Sequence, residues 1–498
     1  MTEFAPETPA VHVRGSVKKI AASTLWQIAS QLTMAAMSIV TIKCVAIGLS
    51  KELAGDYNTS YGFLQLFGIL ADFGLYAIAV REISKAKDRS RTMSVFFLLR
   101  LVTVIVALSA ALAIAWATPH WRGTPLPLAI SIAALVPLFT LLGGILRSAF
   151  QVNYRMQFVF VAEVAQRVLT FSLIGLFILL GVRGTSDPRI LFAFLLIGGA
   201  GALVYLTLSV ILSHRLIPLR MHWDPSLMRR IAREAAPFGL AYLCIALYRQ
   251  FDITLIAQLR PQDFELQNAY YGFVQRMMDM AYILPTFLLN STLPILSERA
   301  ARGGETRHLL GRVFLAILLL SSTMFLFASQ WPVPLVRLLT TQAYLSTSAA
   351  PGSDTALWIL SASMFLNGIV LFSFYVLLTA NRWKSLLLTL GAGAILSLAS
   401  NLLLIPILGF VGAAITSVCV HAFLAIALLP WALSAMPIRL PRVAWLQWIA
   451  FSLLLAAFLI FAKPFLSTPY HTFLIGGLSG AWMLLVLWVI RVRKTFSM

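Results

Sequence analysis

The chain has 498 residues, 60% of them hydrophobic and 11% charged, with a mean hydropathy of +0.87. Soluble domains carry about 25% charged residues, so this composition excludes a soluble fold and points to one polytopic membrane bundle. A formal net charge of +20 would suggest nucleic acid in a soluble protein; in a membrane chain the question is where the cations lie.

In chain order, a polar segment (1–19) precedes an apolar span at 20–49, too long for the core of a cleaved leader and expected to stay as an anchor. Spans follow at 58–80, 93–117, 128–149, 157–182 and 189–213, completing a first group of six. A basic linker (214–234) leads to a second six at 235–258, 269–297, 313–331, 355–380, 385–408 and 411–435. Residues 436–498 hold two more spans, 445–462 and 472–490, and a short tail. The expected fold is therefore an all-α polytopic membrane protein of about 14 transmembrane helices, two parallel six-helix lobes (20–213 and 235–435) plus two extra C-terminal helices. The longest connection, Pro332–Asp354, is too short for a soluble domain.

Of the 38 Lys and Arg, 26 fall in connections on the side of the N-terminus and 7 on the other. Cytoplasmic loops concentrate these residues, so both termini are expected in the cytoplasm. Most of the positive charge then reports topology, and no nucleic acid partner is expected. Cys44, Cys244 and Cys419 lie in apolar segments without a CxxC partner and read as buried structural thiols, with no metal or cofactor implied.

Five cations remain inside spans, Lys43, Arg100, Arg167, Arg249 and Arg276, with four acids, Asp72, Glu163, Asp252 and Asp279. Each costs about 2.5–3.5 kcal/mol at the centre of a membrane helix, so each needs a reason. Glu163 with Arg167, Arg249 with Asp252, and Arg276 with Asp279 are spaced to meet on one helix face, either as packing pairs or on a cavity wall. Arg100, near a span end, is expected to snorkel, and Lys43 can also snorkel. Asp72 has no basic partner one turn away and needs a cation from another helix, a proton or water. In the functional reading Lys43, Arg249, Arg276 and Arg167 line a cleft that attracts a phosphate or pyrophosphate, while Asp72, Asp252 and Asp279 are candidates for a coupling proton or cation. His421 reads as a packed histidine.

The cleft is placed by a repeat. Tyr61 to Gln65 reads YGFLQ and Tyr271 to Gln275 reads YGFVQ, six spans apart and hence in the same orientation. Lys43 precedes the first copy, Asp252 the second, and Asp72 and Asp279 follow inside the respective helices. Two parallel lobes related in this way place a substrate site between them, near the midplane. Tyr61, Tyr271 and Trp445 read as interfacial anchors, Pro137, Pro285 and Pro406 as points where spans bend or end, and Gly198 to Ala202 as a site of close helix approach.

Three local patterns resemble the Wzx-type polysaccharide flippases of the multidrug/oligosaccharidyl-lipid/polysaccharide exporter superfamily. They are Tyr61-Gly62 followed by Ala71-Asp72-Phe73-Gly74-Leu75 and Arg81; Ala236-Pro237-Phe238-Gly239; and Asn401 through Pro406 followed by Gly409 through Ile415. The resemblance implies a two-lobe bundle working by alternating access in a bacterial cytoplasmic (inner) membrane. It implies ion-coupled movement, on a proton or sodium gradient, of undecaprenyl-pyrophosphate-linked oligosaccharide to the periplasmic leaflet, with polysaccharide polymerase and export machinery as partners. Lipid II flippase is the nearest rival. A drug or cation antiporter would more typically have twelve spans and a cavity poor in fixed cations, and a glycan polymerase would carry a long catalytic loop. No P-loop, GxSxG or HExxH is present, so no enzyme activity is expected.

Overall fold

The computed structural model describes residues 10–220, 222–301 and 306–490; the first nine residues of the predicted N-terminal segment and the tail after residue 490 lie outside these. Backbone in hydrocarbon finds no water, so each span must pair its peptide groups locally, and the helix does so. The first half comprises α1 (Ala10–Gly48), α2 (Lys51–Asp72), α3 (Leu75–Lys85), α4 (Arg89–Ala117), α5 (Leu126–Ala133), α6 (Leu135–Val152), α7 (Met156–Leu179) and α8 (Pro188–His214). The second comprises α9 (Pro225–Arg249), α10 (Asp252–Leu259), α11 (Phe264–Ala281), α12 (Ile283–Ala301), α13 (Arg307–Gln330), α14 (Pro332–Leu339), α15 (Ser353–Thr379), α16 (Trp383–Leu408) and α17 (Phe410–Ala435). Helices α18 (Arg442–Ala462) and α19 (Pro469–Val489) end the described chain. Several starts are written in the sequence: Asp187-Pro188, Asp224-Pro225 and Thr468-Pro469 each pair a side chain that accepts a first-turn N–H with a proline at the first helical position.

Among the described residues 12 segments are long and apolar enough to cross a membrane, as expected of a multi-pass membrane protein. The two predicted spans outside that set, 58–80 and 269–297, carry the repeat, and both are broken. Helix α2 stops where Phe73 (φ 41°) and Gly74 (φ 72°) enter the left-handed region. Helices α11 and α12 part at Tyr282, three residues before Pro285, and α5 and α6 part at Ala134, three residues before Pro137. Proline lacks an N–H and its ring crowds the preceding turn, which explains both of the latter breaks. Pro406 instead sits inside α16, two residues from its end.

Helices α1 to α8 pack mainly on one another, as do α9 to α17, while α18 and α19 lie against α13 and α14 outside the second bundle. The bundles meet along α2 and α11. At the end with few charged loops they share one apolar core that includes Phe63, Trp121, Phe273 and Tyr344. At the opposite, basic end α9 docks onto α3 and α4 through exposed ion pairs, Arg81 with Glu234, Arg230 with Glu82 (3.4 Å) and Arg91 with Asp224 (2.8 Å). Exposed pairs contribute about 0–1 kcal/mol each, so the apolar end is the stronger closure.

The repeat tyrosines are not interfacial anchors. Tyr271 is fully buried, and both copies face the contact between bundles. The pairing extends three residues upstream, to Asn58 and Asn268. The Asn58 side-chain amide donates to the Asn268 carbonyl (3.1 Å), and that of Asn268 donates to the Thr59 hydroxyl (2.9 Å). Glycine is required in both copies: a Cβ on Gly272 would stand 2.6 Å from Asn58, and one on Gly62 would stand 2.7 Å from Ile253. Gly272→Val is expected to destabilise this closed seam by about 1–3 kcal/mol through overpacking. Cross-linking of cysteines placed on α2 and α11 should fall accordingly; unchanged cross-linking would refute the tight seam. Of the three cysteines, only Cys244 is buried; Cys44 is partly exposed and Cys419 exposed, so the reading of three buried thiols holds for one.

Candidate functional site

Between the bundles lies a cavity of about 780 Å³. Its walls come from α1, α2, α6, α7 and α8 on one side and from α11 and α12 on the other. The interrupted helices meet here: Asp72 ends α2, Val136 and Pro137 follow the α5–α6 break, and Arg276, Asp279 and Ile283 flank the α11–α12 break. Broken membrane helices are tolerated where they line a polar cavity, which makes this the candidate site in the fold.

The charges here pair between helices, not along one helix as their spacing suggests. Arg249 reaches Asp279 (2.8 Å) and lies over the Tyr282 ring (4.7 Å). Glu163 takes Arg147 (3.1 Å) and the Ser30 hydroxyl. Asp72 takes Arg100, which is 1% exposed and also donates to the Ala71 carbonyl (3.1 Å); it does not snorkel. Side chains three or four residues apart share a helix face, but tertiary contacts supplied Glu163, Arg249 and Asp279 with better-placed partners.

Once each cavity carboxylate has its guanidinium, Arg167 and Arg276 are left. Among the described residues neither forms an ion pair. Arg276 lies over the rings of Tyr57 (4.9 Å) and Tyr61 (5.2 Å), and the Arg167 Nε is buried without a hydrogen-bond partner. An aromatic face holds a cation without consuming its N–H donors, so Arg276 keeps donors for an anion, and Arg167 keeps at least its unpaired Nε–H.

The other predicted residues lie elsewhere. Lys43 sits at the apolar end, where its ammonium donates to the carbonyls of Arg337 (2.9 Å) and Thr340 at the C-terminus of α14. It ties the first bundle to the second and does not converge with Arg249. Asp252 is buried in the second bundle, accepting from the Tyr271 hydroxyl (2.7 Å) and the Asn401 amide (2.8 Å), and among the described residues it forms no ion pair. His421 is buried, its Nδ1 within 2.7 Å of the Ser417 carbonyl and its ring against Tyr248, as expected of a packed histidine.

The three sequence patterns also acquire partners. Phe73 packs where Gly239 has no side chain and Phe238 where Gly74 has none, so the first two patterns interlock across the bundles. The third supplies Asn401 to Asp252, and the Pro406 carbonyl accepts from Arg260 (3.0 Å). Residues 20–300 match the family described as polysaccharide biosynthesis protein. The chain belongs to that family. No curated protein matches it. Among solved structures, this family member is similar to the lipid II flippase MurJ in an inward closed conformation, at 12% identity and TM-score 0.69, over 96% of this chain and 100% of that one. It is also similar to an inward-facing multidrug resistance MATE family transporter of the MOP superfamily (15% identity, TM-score 0.54, 83% of this chain and 98% of that one). A third is a MOP superfamily transporter from Pyrococcus furiosus Vc1, for which a reversed polarity of the binding pocket is described (14% identity, TM-score 0.58, 84% and 95%). At these identities the likeness is one of fold.

Arg147, Tyr57 and the Asn58–Asn268 pair escaped the sequence reading. Arg147 fell among loop cations because it lies near a span end. The asparagines had a signal, since extending both copies of the repeat backwards by three residues meets an asparagine in each.

Proposed function

We propose that this family member is a flippase for undecaprenyl-pyrophosphate-linked oligosaccharide, moving it from the cytoplasmic to the periplasmic leaflet for surface polysaccharide biosynthesis. The observation that carries the reading is the pair Arg167 and Arg276, two guanidinium groups free of carboxylates in one cavity between bundles, in a polysaccharide biosynthesis family member. A pyrophosphate diester brings two negative charges, and bidentate guanidinium contacts suit its oxygens. Residues 20–213 and 235–435 act as the rocking lobes. The basic end faces the cytoplasm with both termini, and polymerase and export machinery take up the product.

Ion coupling is assigned to Asp252. It is the predicted intramembrane acid without a guanidinium, so a proton or sodium ion can supply its missing charge. Asp72 and Asp279 then serve to hold their arginines. In liposomes with the substrate labelled in one leaflet, the purified chain should speed its equilibration across the bilayer, and an imposed proton or sodium gradient should speed it further. Asp252→Asn is expected to keep the basal rate and lose the gradient effect; a gradient effect that persists would sink the assignment. Acceleration of lipid II alone would transfer the whole reading to the peptidoglycan precursor.

A further inference from the structure

Helix α2 enters the seam ahead of the apolar span that begins at residue 58, and its second turn buries Asp56, which is 3% exposed. The Oδ1 of this carboxyl has no hydrogen-bond partner, and among the described residues Asp56 forms no ion pair. Among the described residues the helices around it bring no ion-pair partner: the Arg276 guanidinium of α11 lies instead over the Tyr57 and Tyr61 rings on the cavity side. Across the seam α11 carries Glu265, and its backbone comes so close at that residue that a Cβ on Gly55 would collide with it. Glu52 stands one turn earlier on α2 itself.

The cations of this end are engaged elsewhere. Lys51 donates to the Tyr270 hydroxyl (3.2 Å), and Arg260 pairs with Asp263 (2.7 Å). Lys43 on α1 is held by the carbonyls at the end of α14, and His120, before α5, faces the Ala257 carbonyl of α10 (3.1 Å). Arg189, at the start of α8, is exposed. Deeper on α4, α6 and α9, Arg100, Arg147 and Arg249 belong to Asp72, Glu163 and Asp279. Tyr57 and Tyr61 on α2, and Tyr271 and Asp252 on α11 and α10, face the cavity or one another.

Ionising a carboxyl that is buried with an unpaired oxygen and no cation is costly, so such a group favours its protonated form. Burial, and then the charge of Glu265, push the Asp56 carboxyl up to about 8. Separating α2 from α11 would return it to water and to the ordinary carboxylate range. We infer that Asp56 is a proton-binding site of the transport cycle: closing the seam at this end takes up one proton on Asp56, and opening it releases that proton to the side then exposed. The inference rests on the alternating-access reading but not on the identity of the substrate.

The sign follows from linkage. A group whose pKa is higher in the closed state favours closure at low pH, and that preference is lost as pH rises through the closed-state value. Between the two pKa values, one linked proton makes the closed-to-open ratio fall about tenfold per pH unit as pH rises. The test uses the full chain in lipid nanodiscs with Cys44, Cys244 and Cys419 replaced by serine. Spin labels go on cysteines at the exposed positions Arg122 and Gln262, one on each bundle at this end. The distance distribution is then read from pH 5 to 9, without substrate. The short-distance population should fall with rising pH in the parent and stay high throughout in Asp56→Asn. Asp56→Glu, which keeps a carboxyl, should retain a pH-dependent transition and serves if the Asn variant fails to fold. A parent population that does not change with pH overturns the proposal, as does an Asp56→Asn variant that follows the parent. Loss of substrate movement with an intact pH response would count against the flippase reading alone.

Discussion

Removing both Arg276 and Arg167 is expected to abolish substrate-dependent transport while the protein folds and inserts normally. Neither guanidinium neutralises a carboxylate among the described residues, so truncation strands no buried counter-charge. Each is expected to contribute about 1.5–3 kcal/mol of hydrogen bonding to a charged group, so either single alanine variant should weaken binding of the pyrophosphate head about 10- to 150-fold. Lysine at 276 should rescue only in part, because a point charge stacks on the Tyr57 and Tyr61 rings less well and lacks the planar fork. The measurement is equilibration of labelled substrate across liposomes at several substrate densities, with detergent-extracted yield and monodispersity as the control for folding. Wild-type concentration dependence in the double variant would remove the anion site from this cavity.

The second large effect concerns stability. Asp72→Asn leaves Arg100, 1% exposed, with the Ala71 carbonyl but no charge partner. Stranding one member of a buried pair costs about 3–5 kcal/mol, enough to deplete the folded protein from the membrane. The asymmetry of the pair makes a sharper statement. Asp72 lines the cavity and is 35% exposed, so Arg100→Met should be much milder than Asp72→Asn. Combining Asp72→Asn with Arg100→Met should restore protein level and gradient-driven transport together. Thermal inactivation in detergent and membrane abundance read the first part, and the transport assay reads the second. If the double variant folds but has lost its gradient dependence, Asp72 carries a coupling ion and is more than the counter-ion of Arg100.

Much of the architecture was open to reading from the residues. Long uncharged runs must be helices in a bilayer, because only local pairing satisfies their peptide groups, and thus the order of spans follows from hydropathy alone. The repeat was visible as YGFLQ and YGFVQ, and the breaks before Pro137 and Pro285 follow from the missing proline N–H. The intramembrane charges were visible as well, since nothing else in an apolar span stands out so clearly. Their partners were not. Arg249 chose Asp279 over Asp252, and Glu163 chose Arg147 over Arg167.

Sequence by itself determined that this is an all-helical membrane protein with an internal repeat and a small set of costly charges that require a reason. Only the tertiary structure decided that Arg167 and Arg276 are the cations in excess, that Lys43 ties the bundles together at one end, and that Asp56, read from the sequence as a loop residue, is buried with one carboxyl oxygen unpaired. The physical reason is that helix periodicity specifies which residues can share a face, whereas pairing across helices depends on how two bundles approach. That approach is set here by glycines at 55 and 272, which let α2 and α11 meet closely, and by Gly62, which lets α2 meet Ile253 of α10.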